Sequence, residues 1–307
     1  MAVRRATPYA RHRSAVRRAA RVIVAQPGVN HVTLGVKYVN GLPTDDFALK
    51  VFVEEKRDVP SDEMIPSLIE MRNRRGDIID VIKTDVIEMG GKPAPFSTCS
   101  GNRILAFDND VGIVTFAFQK GANQYLLTNA HVAADVSQNE LSGPMRRWDE
   151  ASQQWVKLGN VIRLSPLNSG KVARADLAVI LVDDPAGIGD AEILGIANKV
   201  DRIDILRSDS GPHWFVANGA FACASPEPIL TQVNVVVDGV TIAYDGVWQA
   251  LMTQGQSHPG ISGALLCRYS GGHTVACGQI FGGIAPNYIW AFPFKPIIDT
   301  LWPTLPG

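Results

Sequence analysis

From Phe96 to the C-terminus the sequence is a succession of short apolar runs, each broken within a few residues by Gly, Pro, Asn or Asp. Runs this short do not make long helices, and their alternation with turn residues is the pattern of antiparallel strands closing into barrels or sandwiches. A first barrel is expected from strands at 112–118, 124–129, 155–164 and 176–182. A second is expected from 203–206, 213–217, 229–237, 240–244, 247–252, 263–268, 273–281 and 288–292, with a short closing helix at 294–301.

The texture before Phe96 is different. Residues 10–25 predict a helix, because Val16, Ala19, Ala20 and Ile23 share one face while Arg13, Arg17, Arg18 and Arg21 lie on its flank and back. Pro27-Gly28 ends it. Strands are expected at 31–39 and 47–54, joined through Asn40-Gly41, a pair that supplies the positive φ of a tight turn. Pro60 to Glu63 carries helix-start chemistry and Arg72 to Gly76 a stop, which predicts a short helix, followed by a strand at 77–88. The run Gly90-Gly91-Lys92-Pro93-Ala94-Pro95 marks the domain boundary. The expected organisation is a small α/β domain at 1–93 and a β domain at 96–307, with barrel one at 96–185, barrel two at 202–293 and the closing helix at 294–302.

At 307 residues and 46% hydrophobic, the chain has enough apolar side chains for two or three small cores. A net charge of −1 gives no global field toward a polyanion. The charge is uneven, however: seven arginines and Lys37 precede the first acid, Asp45. That basic start is compatible with a transit peptide, a nucleic-acid arm, a membrane-surface helix or a solvated helix packed on its own domain. No apolar run is long enough to span a membrane and no secretory signal is legible, so the expected location is cytoplasmic. Cys99, Cys223, Cys267 and Cys277 show no Cys-x-x-Cys spacing, and Cys267 and Cys277 flank a turn across which they could approach. In a reducing compartment all four are expected as thiols. His12, His31, His213 and His273 lack metal-ligand spacing, and no metal or other cofactor is expected.

Three stretches carry chemistry. Leu126 to Ala134 reads as a strand that ends by presenting His131; Asp176-Leu177-Ala178 opens a buried strand with a carboxylate; Gly260-Ile261-Ser262-Gly263 sets a serine in a glycine-flanked turn. A serine hydroxyl needs a base during attack, an imidazole suits that task near neutral pH, and the imidazole needs an acceptor on its other nitrogen. His131, Asp176 and Ser262 are therefore the candidate catalytic residues. Gly260 N–H and Ser262 N–H are the candidate oxyanion hole, because the chain there bends with no side chain in the way. His258, near the serine, reads as a loop residue. An α/β-hydrolase is excluded because Ala264 stands where Gly-x-Ser-x-Gly needs glycine and because the order here is His, Asp, Ser.

Thr128-Asn129-Ala130-His131, Asp176-Leu177-Ala178 and Gly260-Ile261-Ser262-Gly263 resemble the three signature motifs of the trypsin/chymotrypsin-like serine peptidases. The N-terminal part, through Gly35 to Gly41, Ala48 to Lys56 and Thr84 to Glu88, resembles the leading domain of bacterial and plant narrow-leaf-related trypsin-like proteins. The resemblance implies a mainly β fold, a chymotrypsin-like double β-barrel after a small α/β domain. It also implies endopeptidase activity on protein or peptide substrates without cofactor. Ile261 stands where secreted digestive members have the aspartate that pairs with a new N-terminus, so that form of zymogen activation is not expected. Gln256 occupies the position of the trypsin specificity acid, six residues before the serine, and Phe281-Gly282-Gly283 is the strand expected to line the substrate pocket. The alternative reading is a peptidase-fold binding or regulatory module without turnover. In either case the N-terminal domain is the part available for self-association or a regulatory partner.

Overall fold

The computed structural model describes residues 12–39, 42–57, 60, 64–89, 94–95, 103–105, 111–135, 140–141, 144–149, 151–168, 170–183, 200–208, 211–217, 220–257 and 259–306. The chain divides into two compact units, Met1–Lys92 with Glu227–Val233, and Pro93–Pro226 with Asn234–Gly307.

In the first unit the apolar face of the helix Arg13–Val24 is buried through Ala15, Val16, Ala19, Ala20 and Ile23. It packs on Val32, Leu49, Val51, Met71 and Ile82 of a four-stranded sheet. The strands run in the order Val29–Val39, Leu42–Val53, Ile78–Glu88, Leu68–Arg72. The first two form the expected hairpin, and the second and third are parallel. The short helix expected before Arg72 is corrected: Leu68–Arg72 is a strand, antiparallel to Ile78–Glu88. So short a piece behind Pro66 gains little from one helical turn and more from a ladder. The helix-start residues 61–63, the Asn40-Gly41 turn and most of the Gly/Pro boundary lie outside the described residues. Segment 227–233 belongs to this unit because Leu230 N–H donates to the Val32 carbonyl at 2.9 Å and Leu230 packs against the same core. Glu227 meets Lys50 Nζ at 2.7 Å. Gly35 leaves room for that carboxylate, since a Cβ there would lie 2.1 Å from Glu227 Oε1.

The second unit is mainly β, and its two barrels are the chymotrypsin-like arrangement expected above. Barrel one is a sheet in the order Val111–Ile113, Arg103–Leu105, Pro144–Asp149, Gln154–Leu164, Ala178–Val182, Asn123–Thr128, Phe116–Lys120. Its two edge strands are consecutive in the chain, separated only by Val114 and Thr115, so the sheet must roll until its edges meet. Val114, Ala117, Leu126, Val132, Leu158, Ala178 and Ile180 fill the inside. Barrel two is a closed ring: His273–Ile284 pairs with Leu265–Ser270, then His213–Ala217, Ala220–Pro228, Trp248–Gln254 and Tyr288–Pro293, which returns to His273–Ile284. Closure leaves few unpaired edges. The helix Phe294–Leu301 follows, as expected.

Two expectations for barrel two are corrected. Ala220–Pro228 is a strand although its alanines and two prolines weaken the signal, because it is completed by pairing with His213–Ala217. The strand expected at 229–237 begins only at Val233, and neither Val233–Val237 nor Val240–Tyr244 joins the barrel; with Val172–Ala173 they form a three-stranded sheet, held together by pairings that no local signal announces. No described helix is long and apolar enough to cross a membrane. Cys223, Cys267 and Cys277 are unbridged, while Cys99 lies outside the described residues. Burial pushes the Cys277 thiol up to about 11, so it packs as a neutral side chain.

His213 is fully buried, with Nδ1–H donating to the Gly211 carbonyl at 3.1 Å and Nε2 without a hydrogen-bond partner among the described residues. Burial lowers its pKa to about 4, against about 6.5 for an unfolded histidine. The unfolded chain therefore binds the proton more readily. The stability this neutral ring contributes is complete above about pH 6.5 and is lost as pH falls through about 4, a total of ~3 kcal/mol. Urea midpoints measured from pH 7 to pH 4 should fall less steeply for His213→Gln than for wild type. Equal slopes would remove His213 as a source of acid sensitivity.

Candidate active site

The ladder between Asn123–Thr128 and Ala178–Val182 is antiparallel and ends at Thr128 opposite Ala178. The residues just past one strand and just before the other therefore emerge at the same end. Asn129 is extended, a single helical turn Ala130–Ala133 follows, and His131 is thereby turned toward Asp176. His131 Nδ1 lies 2.6 Å from Asp176 Oδ2, and His131 N–H donates to Oδ1 at 3.1 Å. Asn129 Nδ2 donates to the Asp176 carbonyl at 2.9 Å. Asp176 has 0% of its surface exposed. A buried carboxylate accepts only, so Nδ1 carries the ring proton of a neutral His131 and Nε2 presents a lone pair.

Ser262 comes to that lone pair at 3.0 Å from Oγ to Nε2. Its loop is fixed from both sides. Ser262 carbonyl accepts from Ile113 N–H at 2.9 Å, and Gly263 N–H donates to the Ile280 carbonyl at 2.8 Å. Glycine is required at 263 twice over: φ is +97°, and a Cβ would stand 2.0 Å from the Ile113 carbonyl oxygen. Thr128 Oγ1 donates to that same oxygen at 2.9 Å, tying the histidine-bearing strand to the serine loop. Gly260, the candidate oxyanion glycine, also has positive φ, +99°, and Ile261 is buried in the core of barrel two.

Phe281 touches the site through its backbone. A register shift between Ile280 and Gly282 leaves Phe281 as an extra residue in the ladder with Tyr288–Pro293. Such a bulge re-aims the chain. Its carbonyl lies 3.1 Å from Ser262 Oγ. The hydroxyl thus has two acceptors for one proton. The Phe281 ring is withdrawn into a cluster with Tyr244, Phe292 and Trp290. Gly282 and Gly283 lie opposite Trp290 and Ile289, and Gln256 is exposed after the strand Trp248–Gln254. His258 lies outside the described residues. Among the described residues no group of three or more His, Cys, Asp or Glu is placed to hold a metal.

Sequence reasoning missed Tyr244. Its hydroxyl donates to Asp176 Oδ2 at 3.4 Å. Burial first, and then the Asp176 charge, hold the phenol well above its ordinary pKa, so it remains a donor. No local signal marks it, since it closes an ordinary apolar strand.

No protein-family model matches the chain, and no curated protein does. Among solved structures it is similar to a glutamic-acid-specific serine protease described as using a histidine triad in substrate binding, at 13% identity, over 66% of this chain and 97% of that one, TM-score 0.44. Thermobifida fusca protease A is similar at 14% identity, over 66% and 95%, TM-score 0.44. Cellulomonas bogoriensis chymotrypsin is similar at 16% identity, over 66% and 94%, TM-score 0.43. These distant likenesses add nothing to the geometry.

Gly263→Ala forces a methyl against a carbonyl at a backbone angle that alanine avoids. It should destabilise the protein by about 3 kcal/mol or more, read as a fall in urea midpoint. A change under about 0.5 kcal/mol would mean that the serine loop is not anchored on Ile113.

Proposed function

We propose that the chain is a serine endopeptidase, on one observation: the unbroken hydrogen-bond line from Asp176 Oδ2 through both ring nitrogens of His131 to Ser262 Oγ. Ser262 Oγ attacks the carbonyl carbon of a peptide bond while His131 Nε2 takes its proton. Asp176 holds the tautomer and stabilises the imidazolium that forms. Gly260 N–H and Ser262 N–H are the proposed donors to the developing oxyanion, each worth about 3 to 4 kcal/mol in the transition state. His131 then gives the proton to the leaving amine, and water completes hydrolysis through the ester. Substrates are proteins or peptides, with Gly282, Gly283 and the Phe281 backbone beside the scissile bond and Gln256 at the rim.

A second reading, a peptidase-fold module without turnover, is favoured by the burial of the site: Ser262 is 0% and His131 2% exposed. A fluorophosphonate probe separates the two. Wild type should be labelled and Ser262→Ala should not; folded wild type that takes no label would favour the module.

Asp176→Asn should lower turnover of a peptide substrate about 10⁴-fold with the fold intact, because the amide favours the wrong tautomer. A rate within tenfold of wild type would remove Asp176 from the reaction. Tyr244→Phe deletes a longer, weaker bond. Its effect should be about 1 kcal/mol, a roughly fivefold fall in kcat with KM unchanged. An unchanged kcat would leave Tyr244 a packing residue.

A further inference from the structure

One side of the strand His273–Ile284 carries Tyr288–Pro293 from Gly278 to Ile284. The other side is taken, residue by residue, by partners whose succession passes through the candidate nucleophile. Gln279 lies opposite Leu265. Ile280 N–H donates to the Ala264 carbonyl at 2.9 Å, and the Ile280 carbonyl accepts from Gly263 N–H at 2.8 Å. The Phe281 carbonyl accepts from Ser262 Oγ at 3.1 Å. Gly282 and Gly283 come next, and there a distant part of the chain takes over: Pro95 stands opposite Gly282 and Ala94 opposite Gly283, antiparallel. Trp290 and Ile289 hold the other side of these two glycines, so Ala94–Pro95 lies on the side of Leu265 and Ser262. All of these residues belong to the second compact unit.

The bonding of this short ladder follows from its composition. Opposed residues in an antiparallel pair alternate between exchanging both N–H···O bonds and exchanging neither. Proline has no N–H, so Ala94 and Gly283 are the pair that exchanges both. The segment is thus held at one residue, through one donor and one acceptor. Those same Gly283 groups are what an extended peptide needs. A peptide whose scissile carbonyl sits at Ser262 Oγ and whose backbone runs along this strand next meets Gly282 and Gly283, and strand addition is bonded through main-chain groups. The glycines carry no side chain to keep such a backbone away, but their edge is already paired.

We propose, on the endopeptidase reading above, that Ala94–Pro95 is an intramolecular competitor of the substrate: it covers the Gly282–Gly283 edge beside Ser262, and an extended peptide is cleaved only in chains from which it has been displaced. The competition is concentration-independent because the segment is tethered to the strand it covers. It is also incomplete, since a single bonded pair can be displaced. Apparent affinity for peptide falls by the fraction of chains with the edge free, so an edge free in about one chain in ten raises KM about tenfold. The chemistry at Ser262 is untouched, because its bonds to His131 and Phe281 do not involve the segment.

The experiment compares wild type with Ala94→Pro, which removes the segment's only donor, and with Ala94→Ser, which keeps it. Each is measured for kcat and KM on fluorescein-labelled casein and for labelling by a small fluorophosphonate, which reaches the serine without pairing to the strand. Ala94→Pro should lower KM about tenfold, with kcat and labelling rate unchanged within about twofold, and Ala94→Ser should match wild type. A purely structural role would lower labelling and kcat and leave KM alone. In wild type, exchange of the Ala94 amide, read by NMR, should be slow in the free chain and with the small probe. It should be about tenfold faster once an extended peptidyl phosphonate occupies Ser262. Ala94→Pro that labels like wild type but shows the same KM, or no casein hydrolysis, overturns the proposal and leaves the labelled serine standing. An Ala94 amide still slow beside the bound peptidyl phosphonate also overturns it. Wild type that is neither labelled nor active overturns both readings.

Discussion

A carboxylate with no contact to water is the constraint around which the second unit is arranged. Asp176 is fully buried, and an ion in that position is tolerated only when donors surround it. Here the donors are the backbone and ring of His131 and the phenol of Tyr244. They come from separate parts of the chain: the turn after Asn123–Thr128 and the end of Val240–Tyr244. Satisfying one charge thus aligns a ring, fixes its tautomer and pins the two elements that bring the donors. The same bonds that make Asp176 tolerable in the interior leave Nε2 as the one ring position with a lone pair to offer.

The serine is placed by backbone rather than by side-chain packing. Ile113 holds the Ser262 carbonyl and crowds position 263, while Ile280 holds Gly263 and Ala264. Because Ile113 belongs to the first barrel sheet and Ile280 to the second, the nucleophile's position is shared between two cores. Small-residue chemistry makes this possible, since any Cβ at 263 would collide with a carbonyl. The bulge at Phe281 adds a second acceptor for the hydroxyl, while the opposite side of the same strand carries Ala94–Pro95 beyond the point where Leu265–Ser270 ends.

Much of the fold was legible because its signals are local. The helix Arg13–Val24 follows from apolar spacing and from Pro27-Gly28, and the first hairpin from alternation either side of Asn40-Gly41. Short runs and frequent turns point to antiparallel barrels or sandwiches, and the double barrel was what the resemblance of the three motifs implied. Misreadings occurred where a partner overrides a weak local preference. Leu68–Arg72 reads as the end of a helix until its neighbour strand is present, and Ala220–Pro228 carries prolines that argue against a strand. Tyr244 was invisible because its role depends on an atom 68 positions away in the chain.

By itself the sequence determined which residue types were available and in what order: a histidine, a carboxylate and a glycine-flanked serine, each at the end of an apolar run, behind a basic amphipathic helix. Periodicity and turn chemistry act over a few residues, so the elements and the mainly β class follow from them. Tertiary structure alone decided that Thr128 and Ala178 end the same ladder, so that His131 and Asp176 meet. It alone placed Ser262 Oγ against Nε2, moved 227–233 into the first unit, and laid Ala94–Pro95 along Gly282–Gly283. The physical reason is that register and closure are set by pairings between distant segments. Their free energy depends on every neighbour in the sheet, and no window of adjacent residues contains it.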